Sequence, residues 1–162
     1  MTADGARLPK VRSTRRQGPA RVTDSAKPAS AKPAADKPAA KPPAPEDQPF
    51  GSFVPTLLIP ALQKEIAAYG GPACELSFEQ GPMPVVGSPC WMVVGQLSGG
   101  RRFWLCFTAE AISSAKTIAL AESGAEPSLL ESFLIDEKKM TLALLVSRLV
   151  QRLNGQKWLG AN

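Results

Sequence analysis

Residues 90–108 read CWMVVGQLSGGRRFWLCFT. Two apolar, aromatic-rich runs, Cys90 to Leu97 and Arg102 to Thr108, flank Ser98-Gly99-Gly100. Glycines between such runs predict a tight β-hairpin. Alternate residues of a strand point to opposite faces. Phe103, Leu105 and Phe107 therefore share one face, and Trp104 and Cys106 the other. Both faces are apolar, so this pair is expected to be central in its sheet or covered on both sides.

Upstream, Glu75-Leu76-Ser77-Phe78-Glu79 alternates as a half-buried strand should. Gly81, Pro82, Pro84, Gly87 and Pro89 mark the intervening loop. Before it, Leu57, Leu58, Ile59, Leu62, Ile66 and Tyr69 recur near the helical period. Gly70-Gly71-Pro72 is the stop signal. Pro55 suits a first helical turn, whereas Pro60 is expected to kink or restart the helix. Downstream, Thr108 to Ala115 predicts one short capped helix, and Thr117 to Ala121 a further strand. Ser128 to Ile135 reads equally as strand or helix. Asp136 is the expected N-cap of the last helix, with Glu137 favourable at its positive end. Leu142, Leu145, Val146, Leu149 and Leu153 form one stripe, and Asn154-Gly155 is the expected terminus. The fold class is α+β: an N-terminal helix, an antiparallel meander of three to four strands and a C-terminal helix.

The domain so described begins at a break in composition. The chain has 162 residues, 19 Lys+Arg, 14 Asp+Glu and a formal charge of +5. Residues 1–49 lack aromatic residues and hold nine of the 16 prolines. They carry ten basic residues against five acidic ones, which is +5. Residues 50–162 carry nine of each, which is zero. The first segment has too little to bury to offset its ordering entropy. Lys27-Pro28, Lys32-Pro33, Lys37-Pro38 and Lys41-Pro42 bias it to extended conformations. The expected organisation is a disordered basic Pro/Ala/Lys-rich tail, 1–49, and one α+β domain, 50–162.

Zero His removes the commonest general base and metal ligand. Cys74, Cys90 and Cys106 form no C-x-x-C pair, so no zinc or iron–sulfur cradle is indicated. Cys106, in an apolar strand, reads as a buried inert thiol. A disulfide between Cys74 and Cys90 stays open as an alternative, although three cysteines without a secretion signal favour a reducing compartment. Glu131, Asp136 and Glu137 cluster in sequence, but capping accounts for two of them. Gly99-Gly100-Arg101-Arg102 resembles a phosphate nest only weakly and reads better as a hairpin turn entering a strand. The expected chain is not an enzyme and has no cofactor or metal. Protein contacts are expected instead at Arg101 and Arg102 beside Trp104, at Arg148 and Arg152, and at Lys157 and Trp158. Trp and Arg dominate interface hot spots. A neutral domain argues against nucleic acid as a partner.

Three stretches carry a family resemblance. They are Ala121-Glu122-Ser123-Gly124-Ala125 with Pro127-Ser128, the run from Leu130 to Lys139, and QRLNGQKWL at 151–159. Together with the Pro84-Val85-Val86-Gly87 loop, they resemble a small cyanobacterial and chloroplast family long catalogued as a domain of unknown function. The resemblance covers roughly residues 46–162. It implies kinship with subunit V of the photosynthetic NAD(P)H-dehydrogenase-like complex, which passes electrons from ferredoxin to plastoquinone. Such a subunit is peripheral and cofactor-free, on the cytoplasmic or stromal side of the thylakoid. It meets the membrane only through its complex. The implied partners are other subunits of that assembly, with ferredoxin among the candidates because a basic arm would attract its acidic surface. The alternatives are a transient assembly factor and a nucleic-acid binder using the tail.

Overall fold

The computed structural model describes residues 43–160. The expected disorder of the tail lies, for residues 1–42, outside the described residues. The N-terminal helix starts at Phe50, with α1 (Phe50–Phe53), a π-helical turn (Val54–Leu58) and α2 (Ile59–Ala68) in direct succession. Pro60 neither breaks nor restarts the helix. An α-helix would set its ring against the Thr56 carbonyl and lose a hydrogen bond. The wider π turn preceding Pro60 absorbs the misfit: Ile59 N–H donates to the carbonyl of Val54, five residues back, as a π-bulge does. The stop at Gly70-Gly71 is a Schellman motif. Gly70 sits at φ +74 and its N–H donates to Ala67 O, while Gly71 N–H donates to Ile66 O. Both bonds satisfy terminal carbonyls.

Five strands follow: β1 (Cys74–Pro82), β2 (Pro89–Leu97), β3 (Arg102–Phe107), β4 (Lys116–Ala121) and β5 (Leu130–Phe133). They form one antiparallel meander in chain order, β1-β2-β3-β4-β5. The ambiguous stretch after Ser128 thus supplies a fifth strand. β2 and β3 lie inside the sheet, as their two-sided apolarity requires. The hairpin between them turns on Gly99 and Gly100, both at positive φ. Gly95 stands opposite Phe103 in the register, and the Phe103 ring lies against its backbone.

Residues 108–115 are not helical. Ser114 Oγ donates to Ala111 O, and Thr108 N–H and Oγ1 donate to Ala115 O. The Lys116 ammonium donates to Ile112 O and Ser114 O, each at 2.6 Å. That side chain is buried, so the loop carbonyls must turn inward to solvate it. This tertiary demand outweighs the local helix signal. The last helix, α3 (Leu142–Gly155), starts six residues after Asp136. Thr141 is its N-cap, accepting from Leu144 N–H at 3.2 Å. Glu46, in a 3₁₀ turn (Pro45–Asp47), accepts from Leu142 N–H at 2.8 Å across 96 residues. Two of the four orphan donors at the helix start are thereby satisfied.

The α1–α2 segment and α3 cover one face of the sheet. Phe53, Leu58, Leu62, Leu145, Leu149 and Leu153 meet Val93, Leu97, Phe103, Leu105, Phe107 and Ile118 there. Each fully buried side chain of this size contributes about 1.5–3 kcal/mol. The opposite face carries Met83, Cys90, Met92 and Cys106, with Val94, Trp104 and Leu130 partly buried beside them. The β1–β2 loop folds onto this face, and Thr117 Oγ1 donates to Met83 Sδ at 3.7 Å.

Candidate functional site

The end of α3 builds the site. Gly155 lies within the helix rather than beyond it. Lys157 takes the left-handed position at φ +59. Lys157 N–H donates to Asn154 O and Trp158 N–H to Leu153 O, which is a second Schellman motif. Glycine normally occupies that left-handed position. Here the register is set by Trp158, which packs into the same core as Leu153. The indole is 4% exposed, and its Nε1–H donates to Glu122 Oε1 at 2.9 Å. Arg101 Nε donates to the other oxygen of Glu122 at 3.0 Å. The Arg101 guanidinium also lies 5.8 Å from the Trp158 ring centre, within cation–π range.

Next to this triad, Arg152 forms a two-point pair with Glu131, at 3.0 and 2.6 Å. With its oxygen turned to the guanidinium, the Gln156 carboxamide accepts from Arg152 at 2.6 Å. Leu120, Leu129, Glu131, Arg152, Gln156 and Trp158 border a depression of about 190 Å³. Arg101, Arg152 and Trp158 of the expected contact residues therefore converge here. The other three do not. Arg102 bonds Ala125 O and Glu126 and stacks 5.1 Å from the Trp104 ring centre. Arg148 donates to Gln151 on α3. Lys157 is exposed. Trp158 closes the domain, so little of its ring is left for a partner.

The depression is poorly suited to acid–base or covalent chemistry. The Arg152 hydrogen bonds hold Glu131 below the ordinary carboxylate range, so it stays ionised and does not donate a proton near neutrality. Asp136 and Glu137 follow β5 in a turn, away from any cap. Burial pushes Cys106 up to about 12 and Cys74 up to about 11, which suppresses the nucleophilic thiolate. All three cysteines are free thiols. Cys74 faces Leu97 while Cys90 faces Gly81 in the same strand pair. Seven residues of strand separate the two positions, roughly 23 Å, so no disulfide joins them. Among the described residues, no three His, Cys, Asp or Glu side chains are grouped for a metal. No helix among them is long and apolar enough to cross a membrane.

Two features escape a search for basic and aromatic residues. One is the tip of the β1–β2 loop. Val86 N–H donates to Pro84 O at 2.8 Å around Val85 at φ +70. This is a γ-turn of the strained kind, and a β-branched residue rarely adopts that φ. Val85 and Val86 are 57% and 60% exposed. Residues held in such sparsely populated backbone regions cluster at functional sites. The other is Glu46. Its hydrogen bond from Leu142 N–H holds its carboxyl below the ordinary value. A depressed folded-state value adds stability above the unfolded value, and that stability is lost as pH falls through the folded one. Glu46→Gln should lower stability by about 1 kcal/mol at pH 7. It should also flatten the acid limb that begins below about pH 4.3. Urea titrations at pH 7 and pH 3 check both; equal losses at the two pH values would contradict the capping role.

Fold and surface define a small α+β domain with a helical layer on one face of a meander and with Arg101, Arg102 and Arg152 tied to Glu122, Glu126 and Glu131. The chain belongs to the DUF2996 family, described as protein of unknown function, whose model matches residues 44–160. That match begins just before Glu46, the residue that caps α3. No curated protein matches the chain.

Proposed function

We propose that this domain is a non-catalytic accessory subunit of the photosynthetic NAD(P)H-dehydrogenase-like complex. In this reading it steadies the ferredoxin-docking region on the cytoplasmic or stromal side of the thylakoid. The resemblance of residues 151–159 and of the Pro84–Gly87 loop to that family points to the complex. The observation that carries a binding role is the Val85–Val86 tip: two apolar β-branched side chains, more than half exposed, on a strained turn. Exposed apolar surface on a rigid loop is a feature of protein contacts.

The test is affinity purification with crosslinking from solubilised thylakoids of the native host. The full chain should copurify with the complex, and Val85→Ser with Val86→Ser should cut recovery about tenfold. Recovery with unrelated proteins alone would overturn the proposal. Comigration with precursors of the complex on native gels would replace it with an assembly-factor role.

A further inference from the structure

β1 is nine residues long and hydrogen-bonds only to β2. Among the described residues, no strand or loop pairs with its outer side. Native sheets rarely leave a long edge open, because its free N–H and C=O groups accept another strand. Along this edge, Glu75, Ser77 and Glu79 are exposed on the face away from the helices, and Leu76 and Phe78 are half-buried on the helical side. Among the described residues, neither Glu75 nor Glu79 is ion-paired. A depression of about 270 Å³ bordered by Glu75, Ser77, Val94 and Gln96 lies on one face. Another of about 390 Å³, bordered by Ile66, Ala67 and Cys74, lies on the other.

We infer that this edge binds an extended segment of another protein by strand addition, and that the segment alternates basic and apolar residues. Main-chain hydrogen bonds would supply affinity, and the two depressions would take alternate side chains. The basic residues would lie opposite Glu75 and Glu79, and the apolar ones would cover Leu76 and Phe78. A second copy of this chain is a poor occupant. Antiparallel pairing about Ser77 sets Glu75 against Glu79 twice, and like charges directly opposite are destabilising. The inference rests on the binding role proposed above but not on the identity of the complex.

The test is an NMR titration of the ¹⁵N-labelled full chain with two synthetic peptides, one alternating Lys and Val, the other Glu and Val. The Lys peptide should shift the amides of residues 74–82 and bind about tenfold more tightly than the Glu peptide. Glu75→Lys with Glu79→Lys should reverse that preference. Both sites are exposed, and a dispersed amide spectrum verifies that the variant is folded. Equal binding of the two peptides, shifts confined to other elements, or no binding by either would overturn the inference. So would a β1–β1 dimer in sedimentation. Thylakoid purification separates the two proposals. If the chain does not copurify but the Lys peptide binds β1, the subunit role falls and the strand-addition site stands. If it copurifies but neither peptide binds β1, the strand-addition site falls and the subunit role stands.

Discussion

Replacing Gly95 with alanine should destabilise the domain by about 3 kcal/mol, at the top of the range for overpacking. A Cβ at this position would lie 2.0, 2.3 and 2.7 Å from three atoms of the Phe103 ring. The ring cannot swing away, because Phe103 is fully buried between the sheet and the helical layer. Phe103 also shields the bare Gly95 backbone, the service an aromatic neighbour gives a strand glycine. Phe103→Leu should cost about 1 kcal/mol alone, yet in the double variant it should recover part of the Gly95→Ala loss, because the two side chains share one space. Urea denaturation of the four proteins measures the coupling. Simple additivity would mean that the ring does not rest on Gly95.

Trp158→Ala should cost about 3–5 kcal/mol, the usual range for removing a buried Trp. It empties the contact with Leu153, leaves Glu122 without its indole donor, and removes the ring over which Arg101 stacks. Trp158→Phe separates these parts. It keeps most of the packing and loses the N–H, so about 1 kcal/mol is expected. Domains of this size hold about 5–15 kcal/mol in all, so the alanine variant should unfold on mild warming while the phenylalanine variant does not. Chemical denaturation followed by circular dichroism reads both. A loss below about 1 kcal/mol for Trp158→Ala would show that the C-terminal segment is not anchored.

The meander was legible because its signals are local. Alternation over residues 102–107 and two glycines at the turn need only neighbours in sequence. The Gly70-Gly71 stop was legible for the same reason. What escaped sequence reading depends on residues far apart. Asp136 and Thr141 are both good caps, and the start at Thr141 goes with a second cap that local sequence does not show, Glu46, 96 residues from Leu142. Gly155 is the better C-terminal signal, but burial of Trp158 moves the left-handed residue to Lys157. Arg101, Arg102 and Arg152, expected to meet a partner, find Glu122, Glu126 and Glu131 first, each more than 20 residues off. Charge totals cannot show such pairings. The openness of the β1 edge follows from strand order, which composition does not contain.

The sequential order of the strands also bears on how the chain folds while it is being made. Each strand pairs with the one synthesised just before it, so the ribosome releases a sheet with all its partners once residue 133 has emerged. Leu145, Leu149 and Leu153 are translated only after the whole sheet. Until they arrive, one half of the helical layer is missing and Phe103, Leu105 and Phe107 lack their full cover. The Glu46 carboxylate is among the first domain groups to leave the tunnel and waits for Leu142 to close the structure. Nascent chains stalled before α3 should therefore be the species that most needs a chaperone.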